Sequence, residues 1–235
     1  MTLYIVYPKA CAESAAMLAS ALKAKKQLCY GNYMLLNEKA TVFNYGVGGY
    51  PSLCAKVVVN DGQAVNRCID KLTTFDLLKK AGVSIPKYST KSNVAAKWDT
   101  VVCRETVNGK GNEGLSYWYK GDKGSPKGQL FTEHFEHEHE WRIVVFKGVV
   151  VARYLKVRDA NDKWHFQLYT KQGFKDIDSA CLKASQALQI DFVGFDVLEN
   201  KKGVYVVLEA NSGPVMTEEV LEYIKNYFKQ LKKEK

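Results

Sequence analysis

The sequence predicts an α+β fold, and three features carry that reading. A strand-like Leu3–Tyr7 followed by an alanine-rich stretch over residues 12–25 gives a βα start. Two short glycine-containing turns, Lys147-Gly148 and Asn200-Lys-Lys-Gly203, are each flanked by apolar runs of strand character. Apolar residues at i, i+3, i+4 and i+7 recur between the strands as helix faces. Hairpins of this kind, concentrated in the second half, argue against a doubly wound parallel sheet.

Along the chain, residues 44–51 read as loop from their glycines and proline, and Val57-Val58-Val59 as a short buried strand. Val65, Cys68, Ile69 and Leu72 form a helix face, with Asn60 or Asp61 as cap and Gly82 and Pro86 as stop signals. Strands are expected over 100–104, 115–119 and 130–135, with a glycine loop at 109–114 and a mobile-looking glycine segment at 121–128. A hairpin of 141–146 with 149–157 follows. Ile177, Cys181, Ala184 and Leu188 mark another helix, then a strand pair around 200–203. A last helix carries Val220, Ile224, Tyr227 and Leu231 on one face behind a Thr217 cap. No internal repeat or low-complexity tract is present.

The 235 residues, 46% hydrophobic and 25% charged, suit one large domain or a few small interlocked ones, and exclude a disordered or collagen-like chain. The apolar run at 3–7 falls far short of the ~20 residues of a membrane span or the ~7–15 of a signal-peptide core, so a cytoplasmic protein with no membrane partner is expected. The six cysteines include no CxxC pair and read as reduced, mostly buried residues. A net charge of +9 favours anionic partners without choosing among them. The lysines from Lys225 onward read as a solvated helix end.

Asp196, Glu209 and Asn211 form the most suggestive constellation. If 200–203 is a four-residue turn, Glu199 faces Val204 and Asp196 faces Val207, so Asp196 lies on the side of Glu209 and Asn211 as a diagonal neighbour of Glu209 at ~7–8 Å. Three oxygen donors on one side of a hairpin suit Mg²⁺ held together with substrate phosphates, while Val204, Val206 and Leu208 are expected to face a core. Gly109-x-Gly111-x-x-Gly114 has dinucleotide-fingerprint spacing but lies between two strands, which excludes that site and leaves a glycine loop able to fold over phosphates. His134, His137 and His139, interleaved with glutamates, read as a surface loop rather than a zinc site. A two-residue turn at Lys147-Gly148 sets Arg142 opposite Arg153, and either an anion between them or outward bending would relieve the repulsion.

Together these pieces resemble the ATP-grasp carboxylate–amine ligases, in particular the ribosomal-protein glutamate ligase type and the small ATP-grasp proteins of tailed phages. The resemblance spans residues 60–220. It rests on the run from Cys68 and Lys71 to Pro86, Arg104 with its glycine loop, Glu133-His-Phe135, Glu140-Trp-Arg142, Asp191-Phe-Val-Gly-Phe-Asp196 and Leu208-Glu-Ala-Asn211-Ser-Gly-Pro214.

The resemblance implies an ATP-grasp fold, two α+β subdomains (63–130 and 131–235) clasping ATP behind a short N-terminal α/β subdomain (1–62). It implies ATP and Mg²⁺, or Mn²⁺, as cofactors. Lys71 and Arg104 would meet phosphates together with Gly109, Gly111 and Gly114. Arg104 stands where many members have lysine. Glu133, His134 and Phe135 would form the adenine hinge, Glu140 the ribose ligand, and Asp196, Glu209 and Asn211 the magnesium set. Lys156 would approach the transferred phosphoryl group with Arg142 and Arg158 nearby. The two-residue-turn register puts Lys156 on the face opposite Arg142, so either a bulge intervenes or one assignment fails. The implied chemistry joins a carboxylate to an amine through an acylphosphate, the substrates being small molecules, peptides or proteins. A kinase that stops at a phosphorylated product, and a non-catalytic basic module for nucleotide or nucleic acid, are the alternatives. Neither a Ser-His-Asp nor a Cys-His arrangement is visible. Acceptor recognition is unassigned, because Lys163-Trp-His-Phe-Gln departs from the family, and oligomeric state is open.

Overall fold

A computed structural model describes residues 2–29, 40–48, 56–108, 114–159, 164–171 and 173–233. The chain begins with a four-stranded parallel sheet of β1 (Leu3–Tyr7), β2 (Lys25–Leu28), β3 (Thr41–Asn44) and β4 (Lys56–Val59), ordered β2-β1-β3-β4. The alanine-rich stretch forms α1 (Ala12–Leu22), burying Ala15, Leu18, Ala19 and Leu22. It ends at Lys23, whose left-handed backbone (φ 52°) returns its N–H to the Ala19 and Ser20 carbonyls.

The stripe that predicts one helix from Val65 is split into α2 (Gly62–Ile69) and α3 (Lys71–Lys80). Asp70 breaks it, since its ψ of 104° leaves the helical region while its carboxylate accepts the Thr73 N–H at 2.8 Å and restarts the helix. Asp61 caps α2 by accepting from Gln63 N–H. Asn60, the other candidate cap, instead sits fully buried with φ 57° and bonds the backbone at Asp191, Phe192 and Ser212.

A small antiparallel sheet, ordered β5-β8-β6-β7, contains β5 (Tyr88–Ser89), β6 (Thr100–Arg104), β7 (Leu115–Tyr119) and β8 (Leu130–Glu133), with α4 (Ser92–Ala95) beside it. The strand expected over 130–135 therefore ends at Glu133. The Gly121–Gly128 segment is pinned at its far end, where a Cβ on Gly128 would lie 2.6 Å from the Arg104 carbonyl oxygen.

The large antiparallel sheet is ordered β11-β10-β9-β12-β13: β9 (His139–Phe146), β10 (Val149–Arg158), β11 (Trp164–Leu168), β12 (Phe192–Glu199) and β13 (Tyr205–Asn211). One face packs on α5 (Lys175–Leu188) and on α2 and α3 through a core that includes Cys68, Leu78, Ile143, Cys181, Phe195 and Val207. The opposite face is divided. Its Val144, Phe146 and Phe192 end is covered by the N-terminal sheet and by α6 (Glu218–Lys233), and Phe43 meets Phe146 and Phe192 at ring-centroid distances of 6.3 and 5.9 Å. Its Glu140, Arg142, Lys156 and Asp196 end is left to face the small sheet.

Two β-bulges decide which residues reach that charged end, and both change the expected register. At Lys147-Gly148 both turn residues are left-handed (φ 49° and 74°), a type I′ turn that pairs Phe146 with Val149. The register then shifts between Val150 and Ala152, so Arg142 lies opposite Tyr154 rather than Arg153. Arg153 turns to the other face and donates to Asp178 of α5 (Nε to Oδ1, 2.8 Å), so the expected arginine repulsion does not arise. The same shift brings Lys156 onto the face of Glu140 and Arg142. In the second hairpin Glu199 faces Tyr205, and a shift at Leu208 sets Asp196 directly opposite Glu209 instead of diagonal to it. The expectation that Val204 and Leu208 face the core fails with it: Val204 is 52% exposed, whereas Val206 and Val207 are buried.

Candidate active site

Between the small sheet and the charged end of the large one lies a cavity of about 520 Å³. Eleven of the candidate site residues line it: Arg104 from β6; Glu133, His134 and Phe135 from and after β8; Glu140 and Arg142 from β9; Lys156 and Arg158 from β10; Asp196 from β12; Glu209 and Asn211 from β13. Strand alternation explains the clustering, because Glu140 and Arg142, and likewise Glu209 and Asn211, are two apart on one face. Apolar walls come from Val102, Leu115, Tyr117, Leu198 and Leu208.

The charges are interlocked. Arg142 forks onto Asp196 (Nη2 to Oδ2, 3.1 Å, and Nε to Oδ1), and Lys156 Nζ donates to Asp196 Oδ2 at 3.0 Å and to Glu140. Both side chains of each pair are largely buried. Burial by itself would lower the Arg142 pKa, but Asp196, with Glu209 and Glu140 beyond it, holds it above the ordinary arginine value. Lys71 does not line the cavity itself. From the first turn of α3 its Nζ reaches Glu209 Oε1 at 3.0 Å from behind, and Lys71 lines an adjoining smaller cavity with Cys11 and Asn108.

Two buried donors in the cavity wall, Arg104 Nε and Asn211 Nδ2, have no hydrogen-bond partner among the described residues. Burial lowers the Arg104 pKa against the opposing pull of Glu209 and Tyr117. A buried donor left unpaired costs ~1–3 kcal/mol, which points to a ligand acceptor at this wall.

At the expected hinge, the Glu133 and His134 N–H groups donate to the carbonyls of Lys87 and Thr100, and the Phe135 carbonyl is 3.0 Å from His137 Nδ1. Gly114, with φ 62°, closes its loop through its carbonyl to Glu105 N–H and does not line the cavity. Gly109 and Gly111 lie outside the described residues. Among the described residues no group of three or more His, Cys, Asp or Glu could hold a metal ion. A cation here would therefore rest on two carboxylates and the Asn211 amide. Cys68, Cys103 and Cys181 are buried thiols; Cys54 lies outside the described residues. No helix among the described residues is long and apolar enough to cross a membrane.

Sequence reasoning missed three contributors. Trp164 and Phe166, alternate residues on edge strand β11, brace the cations: Lys156 Nζ and Arg158 Cζ lie 4.7 and 4.4 Å from the Trp164 ring centroid, and Arg142 Cζ lies 5.4 Å from that of Phe166. Gly194 supplies the space Arg142 crosses, since a Cβ there would meet both Arg142 Cδ and Pro214 Cβ at 2.9 Å. An isolated glycine in an apolar strand was the available signal.

The three-sheet architecture with a charged cleft between two antiparallel sheets is the ATP-grasp fold. The chain superimposes on the ATP-grasp ligase PsnB, determined with a minimal precursor, with a TM-score of 0.72 at 12% identity over 98% of this chain and 99% of that one. D-alanyl-alanine synthetase A of Vibrio cholerae matches with a TM-score of 0.73 at 10% identity, covering 98% and 96%. D-alanine–D-alanine ligase of Bacillus anthracis matches with a TM-score of 0.68 at 13% identity over the full length of both chains. No protein-family model and no curated protein matches the sequence.

Proposed function

We propose that this chain is an ATP-dependent carboxylate–amine ligase that works through an acylphosphate. The observation that carries the reading is the cleft wall itself: Arg104, Arg142, Lys156 and Arg158 converge with Asp196, Glu209 and Asn211, and two buried donors there lack partners among the described residues. Solved neighbours of the same fold support it, one of them determined with Mg and ADP.

In this reading the N-terminal subdomain (1–62) backs the two that clasp the nucleotide (63–130 and 131–235). Adenine lies among Val102, Tyr117, Leu198 and Leu208 beside Glu133–Phe135, with Glu140 toward the ribose. The triphosphate extends toward Arg104 and the Arg142–Lys156–Arg158 group, and Lys71, behind Glu209, would reach it from the adjoining cavity. Asp196 and Glu209, exchanging their present partners Arg142, Lys156 and Lys71 for a cation, would join Asn211 in offering oxygen donors of the kind Mg²⁺ or Mn²⁺ takes. A bound divalent ion would supply charge neutralisation on the phosphate oxygens.

The substrate carboxylate oxygen attacks the γ-phosphorus, the bond to the β–γ bridging oxygen breaks, and ADP leaves. An amine then attacks the acyl carbon, the bond to the phosphate oxygen breaks, phosphate departs with the proton the amine gives up, and an amide forms. The protein's own contribution is positioning and charge stabilisation by fixed cations, so no protein nucleophile is needed. ATP as co-substrate and reduced thiols agree with a cytoplasmic setting. Small-molecule and peptide carboxylates and amines are the substrate classes, and PsnB, determined with a precursor peptide, favours the peptide.

The experiment is an ADP-release screen over amino acids, short peptides and acidic or basic proteins, with mass spectrometry on each positive. Alongside it, Mg·ATP at about 100 times its Kd should stabilise the fold by ~2.7 kcal/mol. No melting shift at millimolar Mg·ATP and no ADP release with any substrate would overturn the reading.

A further inference from the structure

A second cavity, of about 920 Å³, belongs to neither the cleft nor the residues around it. It opens where β1, β3 and β4 begin, at Leu3, Thr41 and Lys56, against the C-terminal half of α6. The cavity adjoining the cleft, by contrast, is lined by Pro8 and Gly46, which follow the ends of β1 and β3. A five-residue strand spans roughly 17 Å, so an occupant of the groove would not meet the nucleotide.

Four lysines rim this groove, Lys23 and Lys56 on the N-terminal bank and Lys225 and Lys229 on α6, and no carboxylate appears among its described lining residues. Lys225 also pairs with Glu222 at 3.0 Å. Between the banks the floor is apolar: Leu3, Leu22, Val58, Phe228 and Leu231, the last 37% exposed. We infer that the groove docks an acidic amphipathic peptide segment of a partner protein, its apolar side chains on the floor and its carboxylates on the lysines.

Charge complementarity selects this occupant. Lysines on both banks match carboxylates distributed along a segment better than a single-headed anion, and the volume lies within the range of built ligand sites. A second copy of this chain would bring the same basic rim into contact with itself. Single-stranded nucleic acid would stack on open aromatic faces, but Tyr227 packs edge-on against Phe146 at 5.1 Å and Phe228 lies 6.2 Å from Phe43, so both rings, half-buried, are partly engaged by core aromatics. Docking a partner here would raise the effective concentration of any reactive group it carries near the molecule. The inference does not depend on the ligase reading.

The test uses the full chain and a fluorescein-labelled peptide with glutamates on one helical face and leucines on the other, read by fluorescence anisotropy. The expected result is saturable binding that is unchanged by Mg·ADP and weakened about tenfold or more by Lys56→Glu with Lys229→Glu, or by a shuffled peptide of the same composition. Leu231→Asp, at an exposed position, should weaken it independently if the double lysine variant loses its fold. Equal binding by the variants, equal binding of the shuffled peptide, or tighter binding of a single-stranded oligonucleotide or of phosphatidylglycerol vesicles would overturn the assignment.

Discussion

Gly194→Ala should damage the cleft from beneath. The added methyl would lie 2.9 Å from Arg142 Cδ and 2.9 Å from Pro214 Cβ, well inside the ~3.5–4.0 Å of ordinary carbon contacts. Neither neighbour yields easily: the Arg142 side chain is 12% exposed and forked onto Asp196, and the Pro214 carbonyl accepts from Tyr45 Oη. Overpacking of this kind costs ~1–3 kcal/mol. At about 2–4 °C per kcal/mol for a chain of this size, the melting midpoint should fall by roughly 2–12 °C. A displacement of ~1 Å in Arg142 should also lower ADP release by about a hundredfold. Circular-dichroism melts and a coupled ADP assay read the two effects. In an Arg142→Ala background the cost of Gly194→Ala should shrink, because one of the two clashes is gone. A Gly194→Ala protein with wild-type midpoint and wild-type turnover would refute the argument that this glycine exists to let Arg142 cross.

Glu209→Gln should abolish ADP release, since it removes one of two carboxylates from the proposed cation set. It should also cost ~1 kcal/mol, the difference between a charged and a neutral hydrogen bond to Lys71; wild-type turnover, or turnover without a divalent cation, would count against it. Raising the pH should destabilise the fold. Burial pushes the Cys68 thiol from 9.0 up to about 12, with Arg67 opposing, and burial with the Glu219 carboxylate pushes Tyr154 from 10.0 up to about 12 against the Thr217 hydrogen bond. Both groups ionise first in the unfolded chain, so their stabilisation is complete below about pH 9 and is lost as the pH rises toward 12. A melting midpoint that holds steady from about pH 8 to about pH 11 would contradict this.

Strands and helices whose patterns are local were legible in the amino-acid order. The βα start, the two-residue turn at Lys147-Gly148, the α5 stripe and a cap at Asn60 or Asp61 all follow from residues within a few positions of one another. Two-residue spacing likewise puts Glu209 with Asn211, and Glu140 with Arg142, on one face of a strand whatever the partners are. Tertiary structure decided how those strands face each other. A bulge adds one residue to one strand with little local signature, yet the shift at Val151 moves Arg153 out of the cleft and brings Lys156 in, and that at Leu208 sets Asp196 opposite Glu209. The break at Asp70 is of the same kind: its stripe continues across the gap, and only the restart of α3 behind β13 brings Lys71 to Glu209. Trp164, Phe166 and Gly194 act through neighbours distant in sequence, so their roles as braces and as open space exist only once the sheets are assembled.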